Sequence, residues 1–177
     1  MKYAIAKEEI NQKPLLEYTG PIHLIHEDSQ VAGAVEVLTK ERLLGFDTET
    51  RPAFRKGEFY LPSLLQLGGA SAVWLFQLRR LKDLGPVMDL LARREILKAG
   101  VAVSRDVAEL QQLHPFKPAG FQDIGHMAEK RGFHHTGLRP LTALLLNGRV
   151  SKAAQVSNWA ADTLTDKQLV YAATDAW

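Results

Sequence analysis

Leu43-Leu44-Gly45-Phe46-Asp47-Thr48-Glu49-Thr50 is the stretch on which the fold turns. A run of apolar and small residues leads into two acids spaced two apart, the pattern of a buried strand that delivers carboxylates at its end. Successive strand side chains alternate faces, so Asp47 and Glu49 project together. Side by side on a central strand they form a platform for a hard divalent cation such as Mg²⁺, which takes oxygen ligands. The plainer alternative is a pair of solvated acids at a strand end. The apolar run before them weighs against it, because it places them at the mouth of a core.

At the far end of the chain, Gln168-Leu169-Val170-Tyr171-Ala172-Ala173-Thr174-Asp175-Ala176 has a helical pattern. Tyr171 and Asp175, four apart, stack on one face. An Asp near a helix C-terminus is disfavoured by the dipole. Its small neighbours Ala172, Ala173 and Ala176 suit close approach to another layer. A third acid, Asp106, follows the apolar run Ala99 to Val103 and falls in the first turn of a helix, where the dipole favours it. If that run lies beside the 43–49 strand, Asp106 joins Asp47 at one sheet edge, outside the carboxyl ends of the strands.

Outward from these motifs the chain reads as one domain over residues 1–177. Residues 1–20 form an irregular arm. Short strands are expected at 21–26, 61–67 and 72–76, the last two joined as a hairpin through Gly68-Gly69-Ala70-Ser71. Further strands fall at 96–103 and 121–124. Helices are expected at 28–40, 84–94, 107–113, up to Arg131, at 138–146 closed by Asn147-Gly148, and from Thr165. The last has Thr165 and Gln168 as a capping box. Strands first, then β/α alternation, predict an α/β domain with a mixed sheet flanked by helices.

Composition is that of an ordinary globular domain, 46% hydrophobic and 24% charged, with a net charge of +2. The absence of cysteine excludes disulfides and thiolate ligands, and fits a cytoplasmic chain. The N-terminal segment has acids where a signal peptide needs an apolar core. No apolar run approaches the ~20 residues of a membrane span. The mild positive charge permits a polyanionic partner without requiring one. His134-His135 lack metal-site spacing, His23 and His26 read as surface residues, and Asp123 reads as a helix cap. Arg51, Arg55, Lys56 and Arg105 follow or flank the acids and are candidates for holding phosphates, although loop cations are usually just solvated.

Three segments taken together, Gly45-Phe46-Asp47-Thr48-Glu49-Thr50, Lys98 through Asp106, and Tyr171-Ala172-Ala173-Thr174-Asp175-Ala176, resemble the motifs of the DEDD superfamily of 3′-5′ exonucleases. Tyr171, four residues before the last Asp, is similar to the tyrosine-bearing branch that includes ribonuclease D and the Werner syndrome protein exonuclease domain. Gly137 to Leu141, Ser151-Lys152 and Ser157 to Ala160 look alike too. The resemblance implies a ribonuclease H-like, mixed five-stranded sheet and a final helix that runs on past its Asp, whereas the sequence stops two residues later. It implies release of nucleoside 5′-monophosphates from single-stranded 3′ ends of DNA or RNA. It also implies two divalent cations, Mg²⁺ or Mn²⁺, ~3.5–4 Å apart. By that likeness Asp47, Glu49, Asp106 and Asp175 hold the cations, Tyr171 orients the attacking water, and Thr48, Thr50, Arg105 and Lys152 bind substrate. Two other readings use the same residues: a ribonuclease H-like endonuclease and a catalytically silent nucleic-acid-binding module. DNA against RNA, and the oligomeric state, are left open.

Overall fold

The computed structural model describes residues 3–177. Its centre is a six-stranded sheet in the order β1-β4-β3-β2-β5-β6. The strands are β1 (Ile22–Ile25), β2 (Leu43–Glu49), β3 (Leu64–Gly68), β4 (Val73–Gln77), β5 (Leu97–Gly100) and β6 (Phe121–Asp123). β2, β3 and β4 form an antiparallel meander, while β1 pairs parallel with β4, and β5 and β6 follow β2 in parallel. The fold is the α/β, ribonuclease H-like one expected, with the six strands read along the chain rather than the five the resemblance implies. The sixth is the three-residue edge strand β6.

Two layers of helix cover the sheet. α2 (Asp28–Leu38), α3 (Gly85–Leu91) and α4 (Val103–Leu113) pack on one face. There Leu44 and Phe46 of β2 meet Leu65, Leu67, Trp74 and Phe76 in the larger core. α7 (Asp166–Ala176) lies on the other face, over a smaller core of Leu64, Val73, Leu75, Trp159, Leu164, Ala172, Ala173 and Ala176. α5 (Ile124–Glu129) and α6 (Leu138–Leu146) flank the β5–β6 end. Asn147 ends α6 in the left-handed conformation, within the Asn147-Gly148 pair expected to close it. Thr165 and Gln168 cap α7 reciprocally, as their spacing predicts. No helix is long and apolar enough to cross a membrane among the described residues.

Two expectations need correction. The strand predicted to reach Val103 ends at Gly100, and α4 begins at Val103 rather than Val107. Ala102 turns the chain with a positive φ of 58°, and Val103 is buried as the first helical residue. The arm is also not irregular throughout. It contains α1 (Lys7–Gln12), bridges Leu15 to Arg149 in parallel, and donates the Tyr18 N–H to Thr174 Oγ1 at 2.9 Å. The arm thus runs beside α6 and the chain just after it, and ties the last turn of α7.

The seat of α7 depends on absent side chains. A Cβ built on Gly45 would stand 1.6 Å from the Ala176 carbonyl oxygen, and one on Gly68 2.5 Å from it. Gly45→Ala is therefore expected to lower unfolding free energy by at least about 1–3 kcal/mol, the range for overpacking. Gly33→Ala, in the middle of α2 with nothing within 4 Å of its Cβ position, should raise stability by up to about 1 kcal/mol through helix propensity. Urea denaturation of both variants checks the contrast.

Candidate active site

The alternation of β2 sorts its residues. Leu44 and Phe46 belong to the larger core and Gly45 lies under Ala176, so Asp47 and Glu49 share the α7 face. α7 runs antiparallel to β2, with Ala176 over Gly45. Four residues of helix rise about 6 Å and two residues of strand about 6.6 Å. The Tyr171–Asp175 pair therefore matches the Asp47–Glu49 pair in length. Asp175 is the nearest charge in effect on Asp47, and Tyr171 feels both Asp175 and Glu49.

Asp106 arrives from the opposite layer. It stands in the first turn of α4, which starts just past the carboxyl end of β5. It is close enough for its charge to act on both Asp47 and Glu49. The Thr48 hydroxyl donates to Asp106 Oδ1, and the Thr48 N–H donates to Asp47 Oδ1 at 2.8 Å. One residue thus holds two of the acids. The structure brings together Asp47, Glu49, Asp106, Tyr171 and Asp175 at a single sheet edge.

Burial raises the pKa of all four half-buried acids, and the neighbouring carboxylates add to the rise at Asp47 and Glu49. Burial, followed by the Asp175 charge, lifts Asp47 well above the usual carboxylate range. Glu49 is pushed up to about 9 by burial and then by Asp47, Asp175 and Asp106. Asp175 reaches about 7 through burial, against a hydrogen bond from Tyr171 that lowers it. Burial raises Asp106 as well, opposed by the Thr48 hydroxyl. Tyr171 is raised by burial and by the carboxylates around it, so its hydroxyl keeps its proton. Its ring leans on the buried Trp159, with centroids 5.8 Å apart.

No ion pair reaches any of the four acids among the described residues. Arg105 is drawn along its own helix to Glu109 at 2.7 Å. Nor do three such side chains already stand as a closed ligand cage among the described residues. The donor set is all oxygen, half-buried and held from both layers, which fits a hard divalent cation such as Mg²⁺ or Mn²⁺.

Two clefts meet at Asp175. One, of about 840 Å³, is lined by Ser151, Ser157, Asn158, Tyr171 and Asp175. The other, of about 1000 Å³, runs from Asp47 and Asp175 along α6 to Trp177. Lys152 is exposed, between Ser151 and Ala153 on the wall of the first cleft, and Thr50 is half-buried just past β2. Asp123 caps α5 by accepting the His126 N–H, and His134 and His135 are exposed away from any acid pair.

Several features of the site were not read from the sequence. The loop after β2 is folded back by Glu58, whose carboxylate accepts the Phe54 and Arg55 N–H groups. It leaves Phe54 77% and Phe59 58% exposed, beside exposed Arg55 and Lys56, and the Arg51 guanidinium lies 4.3 Å over Tyr60. Aromatics interleaved with cations were the available signal. Gln66, opposite Asp47 on β3, was signalled only as one polar residue in an apolar run. Trp159 under Tyr171 lay in the Ser157 to Ala160 stretch that resembles the family, but no local pattern told that it would pack there.

Comparison with known proteins agrees with this geometry. Residues 22–177 match the 3′-5′ exonuclease domain family. Ribonuclease D of Acidiphilium cryptum is 30% identical over 167 residues, covering 92% of this chain and 41% of that protein. The chain thus spans about two fifths of the length of such relatives. Escherichia coli ribonuclease D, described as an exoribonuclease involved in structured RNA processing, superposes with a TM-score of 0.80 at 22% identity, covering 88% of this chain and 41% of that one. The EXD2 exonuclease domain soaked in Mg and GMP superposes with a TM-score of 0.52 at 27% identity, covering 87% of this chain and 82% of that one. With matching motifs on a matching fold, the chain belongs to the 3′-5′ exonuclease domain family.

Proposed function

We propose that this domain is a metal-dependent 3′-5′ exonuclease that removes nucleoside 5′-monophosphates from a single-stranded 3′ end. The observation that carries the reading is the convergence of Asp47, Glu49, Asp106 and Asp175 beside Tyr171. That much negative charge at a site for phosphates serves hydrolysis with cations and would only oppose simple binding. RNA is the favoured strand, because the relatives are named ribonuclease D.

Asp47, Glu49, Asp106 and Asp175 would hold one or two divalent ions, and the EXD2 domain soaked with Mg supports that choice. When bound, such ions supply charge neutralisation at the scissile phosphate and activation of water. The protein's own residues do the rest. Tyr171, kept protonated and braced by Trp159, cannot act as a base at neutral pH, so its hydroxyl orients the attacking water by hydrogen bonding. Thr48 fixes the carboxylates of Asp47 and Asp106. Phe54 and Phe59 offer stacking faces to bases, Arg55 and Lys56 sit beside them for the backbone, and Lys152 serves the other rim. Thr50 and Arg105 contribute at the edges, Arg105 after release from Glu109.

Asp47→Ala should abolish release of mononucleotides from a 3′-unlabelled, 5′-labelled RNA strand, as should EDTA. Hydrolysis that survives either change, a ladder of internal fragments, or binding without cleavage would overturn the reading. Tyr171→Phe is expected to lower kcat by about 10²-fold or more, the scale of a lost positioning or proton-handling group, with KM little changed. Phe54→Ala should do the reverse, raising KM about tenfold, within the about 1–3 kcal/mol of a stacked base.

The raised carboxylates also set a pH dependence. In the unfolded chain these acids lose their protons near pH 4, whereas the folded domain retains them at Asp175 to about 7 and at Glu49 to about 9. Their contribution to stability is full below pH 4 and is lost as pH rises through those values. In EDTA, the Tm should fall between pH 6 and pH 9. Mn²⁺ competes with the same protons, so its stabilising increment should be larger at pH 9 than at pH 6. Scanning calorimetry at both values, with and without Mn²⁺, measures this. A Tm in EDTA that rises with pH over that window contradicts the electrostatics.

A further inference from the structure

Gln66 is wholly buried, at 0% exposure, and neither its Oε1 nor its Nε2 has a hydrogen-bond partner. It stands in the middle of β3, paired with Asp47 of β2 on one side and Leu75 of β4 on the other. Its neighbours Leu65 and Leu67 enter the larger core, and Leu64 the core under α7. By alternation Gln66 shares the α7 face with Asp47.

Buried polar groups are almost always satisfied, and each one left unsatisfied costs about 1–3 kcal/mol. Leucine occupies positions 64, 65 and 67, and packing alone would be served as well by an apolar residue at 66. A glutamine there calls for a partner. Residues directly opposite in an antiparallel pair have Cβ atoms about 4.5–5.5 Å apart, well within reach of the Gln66 amide. On Asp47, Oδ1 already accepts the Thr48 N–H.

We propose that Gln66 is a positioning residue for Asp47: its Nε2 donates to the Asp47 carboxylate when that carboxylate turns to hold a divalent cation. Thr48 and Gln66 then fix Asp47 from two sides, and the amide dipole offsets part of the charge crowded there. Outer hydrogen bonds of this kind orient the ligands of a metal site, and their loss typically weakens metal affinity 10–100-fold. The inference rests on reading Asp47 as a metal ligand. The competing explanation is structural. Trp159 Nε1 is a second orphaned buried donor of the α7 layer, and a buried water joining it to Gln66 would satisfy both without touching metal affinity.

Mn²⁺ titration by calorimetry, with Tm measured in EDTA, separates the two for wild type, Gln66→Met and Asp47→Asn. Methionine has a similar length and removes both orphaned ends. Gln66→Met should keep or raise the Tm in EDTA, yet bind Mn²⁺ at least about tenfold more weakly. Unchanged Mn²⁺ affinity, whether or not the Tm falls, would overturn the proposal. Gln66→Leu carries the same two outcomes if the methionine variant does not fold. Absence of Mn²⁺ uptake by wild type, or equal uptake by Asp47→Asn, removes the metal site and this inference with it. Uptake that requires Asp47 but is indifferent to Gln66 removes this inference alone.

Discussion

The approach of α7 to the centre of the sheet governs the rest of the structure. Ala176 lies with its carbonyl over Gly45 and Gly68, where any side chain on either strand would collide with helix backbone. Ala172 and Ala173 complete the contact surface at zero exposure. At that separation, and with the helix antiparallel to β2, four helix residues cover about the same distance as two strand residues. An ordinary leucine-lined interface would hold the helix farther out and leave Asp175 and Tyr171 short of Asp47 and Glu49. The small residues at this junction are therefore as much part of the site as the acids.

The electrostatic consequence follows from the packing. Two strand acids, one helix-start acid and one acid near a helix end are pressed into a region without an ion-paired cation among the described residues. The arrangement costs stability through desolvation and repulsion. The structure offsets part of the cost locally, with hydrogen bonds from Thr48 to the carboxylates of Asp47 and Asp106. Nearby guanidinium groups are engaged elsewhere, Arg105 with Glu109 and Arg51 with the Tyr60 ring. A compensating cation side chain would have relieved the strain and closed the site to metal.

Support for the site comes from residues with no catalytic chemistry of their own. The N-terminal arm runs beside α6 and bonds Thr174 of α7, one residue before Asp175. Trp159 reaches up beneath Tyr171 from the irregular stretch before α7. Ala102 accepts a left-handed conformation so that α4 can start immediately and bring Asp106 to the sheet edge. Each holds a functional side chain by packing or by backbone geometry rather than by chemistry of its own.

Much of this was legible in the order of residues. Spacing of two on an apolar run placed Asp47 and Glu49 together, spacing of four placed Tyr171 with Asp175, and Thr165 with Gln168 announced the start of α7. These are local signals, because strand alternation and helical stacking act over a few residues. What local pattern could not convey was anything set by the other side of a contact. The apolar Val101–Val103 run read as strand, but the turn at Ala102 and the burial of Val103 in the larger core made Val103 the first residue of α4. The exposure of Phe54, the isolation of Gln66 and the diversion of Arg105 depend on neighbours distant in sequence. The sequence alone determined which side chains are candidates for the chemistry and on which face of its own element each lies. Only the tertiary structure decided how near they come and how strongly they perturb one another, because distance and burial are properties of packed layers and not of any single segment.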